Sequence, residues 1–338
     1  MTVLLCCKWS TNQPVESAKI HSQPIHKMKN LFNCLTFLFF VGIAFGQHST
    51  HENKLVINFQ NRMIKRFNQL GLKTSKFETE KFRIDYFDGG QGPVLVLLHG
   101  FGGNGPLTWR KQVAPLSKRY RLIIPDLCWF DKSYSQSAPT LEAQLEAISA
   151  LLKSLDIQEY SLAGISYGGF IGLALAHQDP QKVAKLVIID SPGHTFDTNE
   201  LNTLATRLDV ESVADIFVPT SPEELKRLLK LTYYSPVLIP KGILTQLYEV
   251  YFSKNHPQQR ELLRTLATTT LLDSVGKERL DCAIIWGEKD DVFPLSEGEK
   301  LAEALHAKFA IIKRAGHIVN LERSKKFNKR LIELLENK

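Results

Sequence analysis

Cysteine is scarce in this sequence, with five residues in 338, too few to frame a small disulfide-built fold. Glycine (20) and proline (15) are modest too, which excludes a collagen. Charged residues make up 23% and hydrophobic residues 43%, a balance that fits neither a disordered polar tail nor a coiled coil. Also missing are an internal repeat, a low-complexity tract and an apolar run of the about 20 residues that span a bilayer. What is present is an ordinary globular composition, long enough for one large core or two modest ones.

The longest apolar run, residues 31–45 (LFNCLTFLFFVGIAF), is shorter than a membrane span and carries Asn33 and Thr36. It follows Met28, Lys29 and Asn30 and ends in Ala44-Phe45-Gly46 before Gln47. A short cationic segment, an apolar stretch and small residues at −3 and −1 are the layout of a secretory signal peptide. The expectation is a leader over 1–46, with the signal in 28–46, translation starting at Met28, and a secreted or periplasmic product; an uncleaved anchor is the alternative. Losing 1–46 removes four lysines and one glutamate, so 42 basic and 35 acidic residues become 38 and 34 and the charge falls from +7 to +4. The remaining basic residues are scattered without an aromatic-interleaved patch, so no nucleic-acid partner is expected.

Residues 54–70 have helical periodicity, with Val56, Phe59, Met63, Phe67 and Leu70 on one face. This reads as a helix packed on the domain, with peripheral contact to an anionic membrane surface as the alternative. From Lys76 the period becomes two, over 77–80 and 82–86, and Gly89-Gly90-Gln91-Gly92 reads as a turn. Beyond it, apolar strands are expected at 94–98, 122–125, 161–165, 186–189, 283–286 and 309–312. Helices separate them at 140–155, 170–177 and 301–305, and one over 327–335 closes the chain. Apolar strands alternating with helices imply a parallel sheet covered on both faces. Between Asp190 and Cys282 the rhythm stops, and helical patterns at 222–231, 243–252 and 258–266 replace it. A structureless loop of that length is improbable, so 194–278 reads as an inserted helical cap.

Gly164-Ile165-Ser166-Tyr167-Gly168 lies between a predicted strand and a predicted helix. Glycines there permit a sharp turn that lifts a serine hydroxyl above the sheet edge. A second strand ends in His99-Gly100-Phe101-Gly102-Gly103, where backbone N–H groups can face an oxyanion. Phe101 and Tyr167 are the expected donors. Serine needs a base to become a nucleophile, and His317 in Ala315-Gly316-His317 fits. The base needs a carboxylate, for which Asp290 is the candidate, with Asp190 and Asp291 as alternatives. His99 reads as a structural histidine. No His/Cys/Asp cluster has zinc spacing. Cys128 follows one strand and Cys282 begins another, ends that strands ~17–20 Å long keep apart, so two free buried thiols are expected. Trp109, Phe101, Tyr167, Tyr233 and Tyr234 are candidates either for an acyl pocket or for plain core.

At His99-Gly100, Pro125-Asp126-Leu127, Gly164–Gly168, Gly287–Asp290 and Gly316-His317, in that order, the sequence resembles the α/β-hydrolase superfamily, in its cap-bearing lipase and esterase branch. The stretch from Thr220 to Pro240 is similar to the cap of monoacylglycerol lipase-like members. The resemblance implies an α/β-hydrolase fold, a mostly parallel central sheet flanked by helices with an inserted helical cap. The core would comprise 76–193 and 279–338, the cap 194–278, and the N-terminal helix would lie within 47–75. It implies a serine hydrolase cleaving small-molecule or lipid esters, acylglycerols among them, through Ser166, Asp290 and His317, with no cofactor. Carbon–carbon bond hydrolysis of dienoic diketones is the enzymatic alternative, although relatives that perform it usually carry Trp after the histidine, where this chain has Ile318. A non-catalytic binding module is the other alternative. One departure stands out: Asp131, in Cys128-Trp129-Phe130-Asp131, occupies a position where family members usually have glycine.

Overall fold

The apolar runs of the sequence become strands because both faces of the sheet they build are covered. The computed structural model of the protein describes residues 53–336 apart from 197, 236, 267, 273–274 and 276–279; the leader expected over 1–46 lies outside the described residues. Among the described residues nine strands join one sheet: β1 (Leu72–Glu78), β2 (Phe82–Gly90), β3 (Val94–Leu98), β4 (Arg121–Pro125), β5 (Tyr134–Ser135), β6 (Tyr160–Ile165), β7 (Val183–Ile189), β8 (Cys282–Gly287) and β9 (Lys308–Ile312). The order is β1-β2-β4-β3-β6-β7-β8-β9, with the short β5 beside β2. β1, β4 and β5 pair with β2 antiparallel, and the pairs from β4 through β9 are parallel.

Alternate residues of the parallel strands face two separate cores. Val96, Leu98, Leu162, Leu186, Ile188, Ile284 and Trp286 pack with the Leu141–Ser154, Tyr167–Gln178 and Leu295–Leu305 helices. Leu95, Leu97, Ala163, Ile165, Val187 and Ile285 pack on the opposite face with Trp109, Phe327 and Leu331. Trp109 is fully buried there, in the layer away from Phe101 and Tyr167, so it belongs to the core and not to a pocket beside them.

Helix boundaries follow local chemistry. The Thr140 hydroxyl accepts the Ala143 N–H at 3.3 Å and starts the Leu141–Ser154 helix. The N-terminal Lys54–Gln69 helix buries Val56, Met63 and Phe67, while Phe59 and Leu70 are only half-buried. Its first amides, of Leu55 and Val56, donate to Gln246 Oε1 at 3.0 and 3.3 Å.

Gly89 and Gly90 are strand residues and not a turn. Gly89 pairs with Leu72 on one side and Leu122 on the other, and a Cβ on it would lie 2.1 Å from the Gly71 carbonyl oxygen. Glycine is required there by close packing of three chain segments, which in sequence looks identical to a turn signal.

Between β7 and β8 the described residues form helices Thr198–Arg207, Ala214–Phe217, Pro222–Thr232, Lys241–Tyr251 and His256–Leu266. The third begins as its sequence dictates: Ser221 Oγ accepts the Glu224 N–H at 3.2 Å, with Pro222 at the first position and Glu223 and Glu224 in the first turn. Ile216, Leu225, Leu228 and Leu244 form a small core of the insertion's own.

Candidate active site

The parallel strands deliver His99, Asp126, Ser166, Asp190, Asp290 and His317 just beyond their carboxyl ends, the edge where open α/β sheets gather their sites. Ser166 joins β6 directly to the Tyr167–Gln178 helix with φ 53° and ψ −122°, a conformation that costs a non-glycine residue of order 1–3 kcal/mol. Its surroundings enforce it. The Ser166 N–H donates to the Ile189 carbonyl at 2.9 Å. A Cβ on Gly164 would lie 2.1 Å from Gly168 O, and one on Gly168 would lie 2.4 Å from Leu98 O. Only glycine at both places lets strand and helix meet this closely, with Ser166 left half-buried at the turn.

Gly100 crosses Ser166 at equally close range: a Cβ on it would stand 2.9 Å from Ser166 Cβ and 3.3 Å from Oγ. Phe101 and Tyr167 are buried with ring centroids 5.1 Å apart, edge to face, and Phe130 packs on Phe101 at 5.2 Å. His99 braces this loop. One ring nitrogen, Nδ1, lies 2.7 Å from the Gly100 carbonyl and the other, Nε2, accepts the Leu127 N–H at 2.9 Å. Nδ1 must therefore carry the proton. Burial holds the pKa of His99 down to about 4, so the ring stays neutral, as befits a structural histidine.

His317 Nδ1 lies 2.8 Å from Asp290 Oδ2. A carboxylate only accepts, so Nδ1 carries a proton, and in the neutral ring the lone pair is then on Nε2. Asp290 is itself held, its Oδ1 accepting the N–H groups of Val292 and Phe293 at 2.8 and 3.0 Å. The His317 ring meets the Phe293 ring at 5.5 Å, and Phe293 meets Phe196 at 5.2 Å. Asp190 instead accepts the Gly287 N–H at 2.7 Å. Its complete burial, and then the nearby Asp290 carboxylate, push its pKa well above the usual carboxylate range. Asp291 is exposed. Of the three carboxyl candidates, Asp290 is the one hydrogen-bonded to His317.

Asp131 adopts a left-handed backbone, φ 49°, two residues after Trp129 at φ 67°. Aspartate tolerates that region better than most residues, which accounts for its place at a glycine position. Asn104 Nδ2 donates to its carboxylate at 3.5 Å. Cys128 and Cys282 are free and buried, and burial pushes the Cys128 thiol up to about 12. Tyr234 is 40% exposed and Tyr233 half-buried.

Four supporting residues carry no motif. Gln144 accepts the Cys128 N–H and donates to the Cys128 carbonyl, both at 3.0 Å. A lone glutamine on the apolar face of a predicted helix was its signal. Gln259 donates to Trp129 O at 2.9 Å, and Arg207 donates to Asp291 O and Val292 O, both at 2.6 Å. Glu322 accepts the amides of Gly316, Tyr234 and Ser235. Apart from Cys128 and Gly316, their partners are backbone groups 84 to 130 residues away, which a linear sequence does not reveal.

Residues 93–324 match the family model for the alpha/beta hydrolase fold. The chain belongs to the α/β-hydrolase family. This hydrolase is 26% identical over 282 residues to monoacylglycerol lipase ABHD6 of Homo sapiens, covering 79% of the chain and 83% of the relative. It is 25% identical over 278 residues to a 2-hydroxy-6-oxononadienedioate/2-hydroxy-6-oxononatrienedioate hydrolase of Paraburkholderia xenovorans, covering 78% and 95%. Among solved structures, a bacterial membrane phospholipase A superposes on the hydrolase with a TM-score of 0.72 at 21% identity, covering 92% of this chain and 97% of the other. An esterase of Thermogutta terrifontis gives 0.64 at 20% identity, covering 78% and 98%. At those identities the structural likeness is one of fold, and it agrees with the α/β-hydrolase architecture expected from the sequence.

Proposed function

We propose that this α/β hydrolase cleaves carboxylic esters of apolar acyl groups, acylglycerols among them, through an acyl-enzyme formed on Ser166. The observation that carries the reading is the Asp290–His317 hydrogen bond, which puts the proton of the neutral ring on Nδ1 and makes Nε2 its basic nitrogen, on loops following β8 and β9 of the same sheet edge that presents the strained Ser166.

Nε2 takes the Ser166 hydroxyl proton as Oγ bonds to the ester carbonyl carbon, and the carbonyl oxygen becomes an oxyanion facing the amides of Phe101 and Tyr167. Asp290 stabilises the imidazolium. The carbon–oxygen bond to the alcohol then breaks, and the alcohol leaves with the proton from Nε2. Water, deprotonated by the same nitrogen, releases the acid and restores Ser166. The aromatic rings of Phe101, Phe130, Phe196 and Phe293 near these groups suit an apolar acyl chain, and the insertion between β7 and β8 serves as the cap over it. The Met28–Gly46 leader supports export of the enzyme, which N-terminal sequencing of the exported protein checks.

The carbon–carbon hydrolase reading is favoured by one observation, the similarity to the Paraburkholderia hydrolase. A panel of p-nitrophenyl esters of increasing acyl length, run beside a dienoic diketone, separates the two. Ester turnover without diketone cleavage is expected; diketone cleavage without ester turnover overturns the proposal, and neither activity favours a binding module.

A further inference from the structure

The loop that carries His317 is fastened to the helical insertion by a single carboxylate. Glu322 ends the short Val319–Glu322 helix and is half-buried. Its Oε2 accepts the Gly316 N–H at 2.7 Å and the Tyr234 N–H at 3.1 Å, and its Oε1 accepts the Ser235 N–H at 3.0 Å. Gly316 immediately precedes His317. Tyr234 and Ser235 follow the Pro222–Thr232 helix of the insertion. The two segments also touch directly: Ile318 N–H donates to Thr232 O at 3.4 Å, and a Cβ on Gly316 would lie 2.7 Å from Tyr234 N and 2.8 Å from Thr232 O.

Hydrogen bonds from amides to an ionised carboxylate are about twice as strong as neutral ones, and here three converge on one side chain. Without that carboxylate, three N–H groups pointing into one spot would lose their shared acceptor, and the backbone entering His317 would lose its anchor. The Asp290 bond fixes the imidazole ring about one nitrogen only. The direction of Nε2 depends on where the main chain puts the ring, and Glu322 sets that main chain.

We propose that Glu322 is a positioning residue for the base, making the orientation of His317 depend on the seating of the insertion at Tyr234-Ser235. Arg207 makes the corresponding link on the acid side, joining the insertion to the carbonyls of Asp291 and Val292. The inference rests on the proposed roles of Ser166 and His317.

The test compares the parent with Glu322→Ala and Glu322→Gln on a p-nitrophenyl ester, with active sites counted by fluorophosphonate titration so that kcat refers to folded, labelled protein. Misplacing a catalytic group by about 1 Å can cost about 100-fold. The expected outcome for Glu322→Ala is a roughly 10- to 100-fold fall in kcat, within that bound, with little change in KM. Glu322→Gln keeps an oxygen for Gly316 and Tyr234 and turns an NH2 toward Ser235, so it should recover part of that kcat. Should the alanine variant not fold, the glutamine variant decides, with a reduced kcat at an unchanged melting temperature expected. Parent-level kcat per labelled site in the folded variants overturns the inference. A Ser166→Ala protein that stays active overturns the underlying reading instead, so the two failures are distinguishable.

Discussion

Asp190 holds the amide of Gly287 at 2.7 Å, three residues before Asp290, so one buried carboxyl shapes the loop of the carboxyl that is hydrogen-bonded to His317. The pair makes a sharp comparison. Asp190→Asn keeps a carbonyl oxygen for Gly287 and should leave kcat near the parent value. Asp290→Asn presents an amide to His317 and favours the wrong tautomer, which in a comparable triad costs about 10⁴-fold in kcat. Ester turnover by the two variants checks this; a collapse in Asp190→Asn with normal turnover in Asp290→Asn reverses the assignment.

The same Asp190 makes stability depend on pH in a defined direction. Its folded pKa is raised, by burial first and the Asp290 charge second. The folded protein therefore retains a proton that the unfolded chain releases above about pH 4. Stability from this group is complete below that pH and is lost as pH rises toward the folded pKa. The amide introduced by Asp190→Asn cannot titrate, so the melting temperature of that variant minus that of the parent should grow as pH rises above about 4, the ordinary carboxylate value, toward the raised folded one. A difference independent of pH contradicts the reading.

His99 acts in the opposite sense. Its pKa is lowered to about 4 by burial, so its contribution is complete above about pH 6.5 and is lost as pH falls from there through about 4, amounting to about 3 kcal/mol at most. Urea unfolding of the parent should weaken over that interval, and the part due to His99 should be missing in His99→Gln, which begins less stable at neutral pH. Equal slopes in the two proteins rule the assignment out.

Gly100→Ala should separate activity from folding. The added methyl would sit 2.9 Å from Ser166 Cβ, forcing apart two loops that the site needs in contact. Overpacking of this kind costs about 1–3 kcal/mol of stability, whereas displacing Ser166, the proposed nucleophile, should lower kcat by about 100-fold. Parallel melting curves and ester assays test it, and full activity in Gly100→Ala contradicts the placement of this loop over Ser166.

The strands of the parallel sheet were legible because burial on both faces leaves an uninterrupted apolar run, as in 94–98, and the elbow was legible because its glycines are steric necessities. Helix 198–207 escaped although Leu201, Leu204 and Ala205 have helical spacing and pack in the core, and 214–217 escaped because four residues are too few to show a period. The Gly105–Trp109 helix had signals in Asn104 and Pro106, since Asn104 Oδ1 accepts the Leu107 N–H at 3.0 Å. Tyr134-Ser135 pairs with only Phe82 and Arg83, too short a strand to show alternation. The sequence left three carboxylates as candidates for the proposed acid, and of these Asp290 is hydrogen-bonded to His317. Glu322 and Arg207 were invisible because what they bind is backbone from remote segments. Glu322 reaches Tyr234 and Ser235 across 88 and 87 residues of chain, and Arg207 reaches Asp291 and Val292 across 84 and 85.

The most direct test of Ser166 as the nucleophile is covalent labelling by a fluorophosphonate, in which Ser166 Oγ displaces fluoride from phosphorus. The expected result is one adduct per chain by intact mass, mapped to Ser166 by peptide sequencing, with ester hydrolysis lost in proportion to labelling and no adduct in Ser166→Ala. An adduct on another residue, or hydrolysis that survives complete labelling of Ser166, contradicts it.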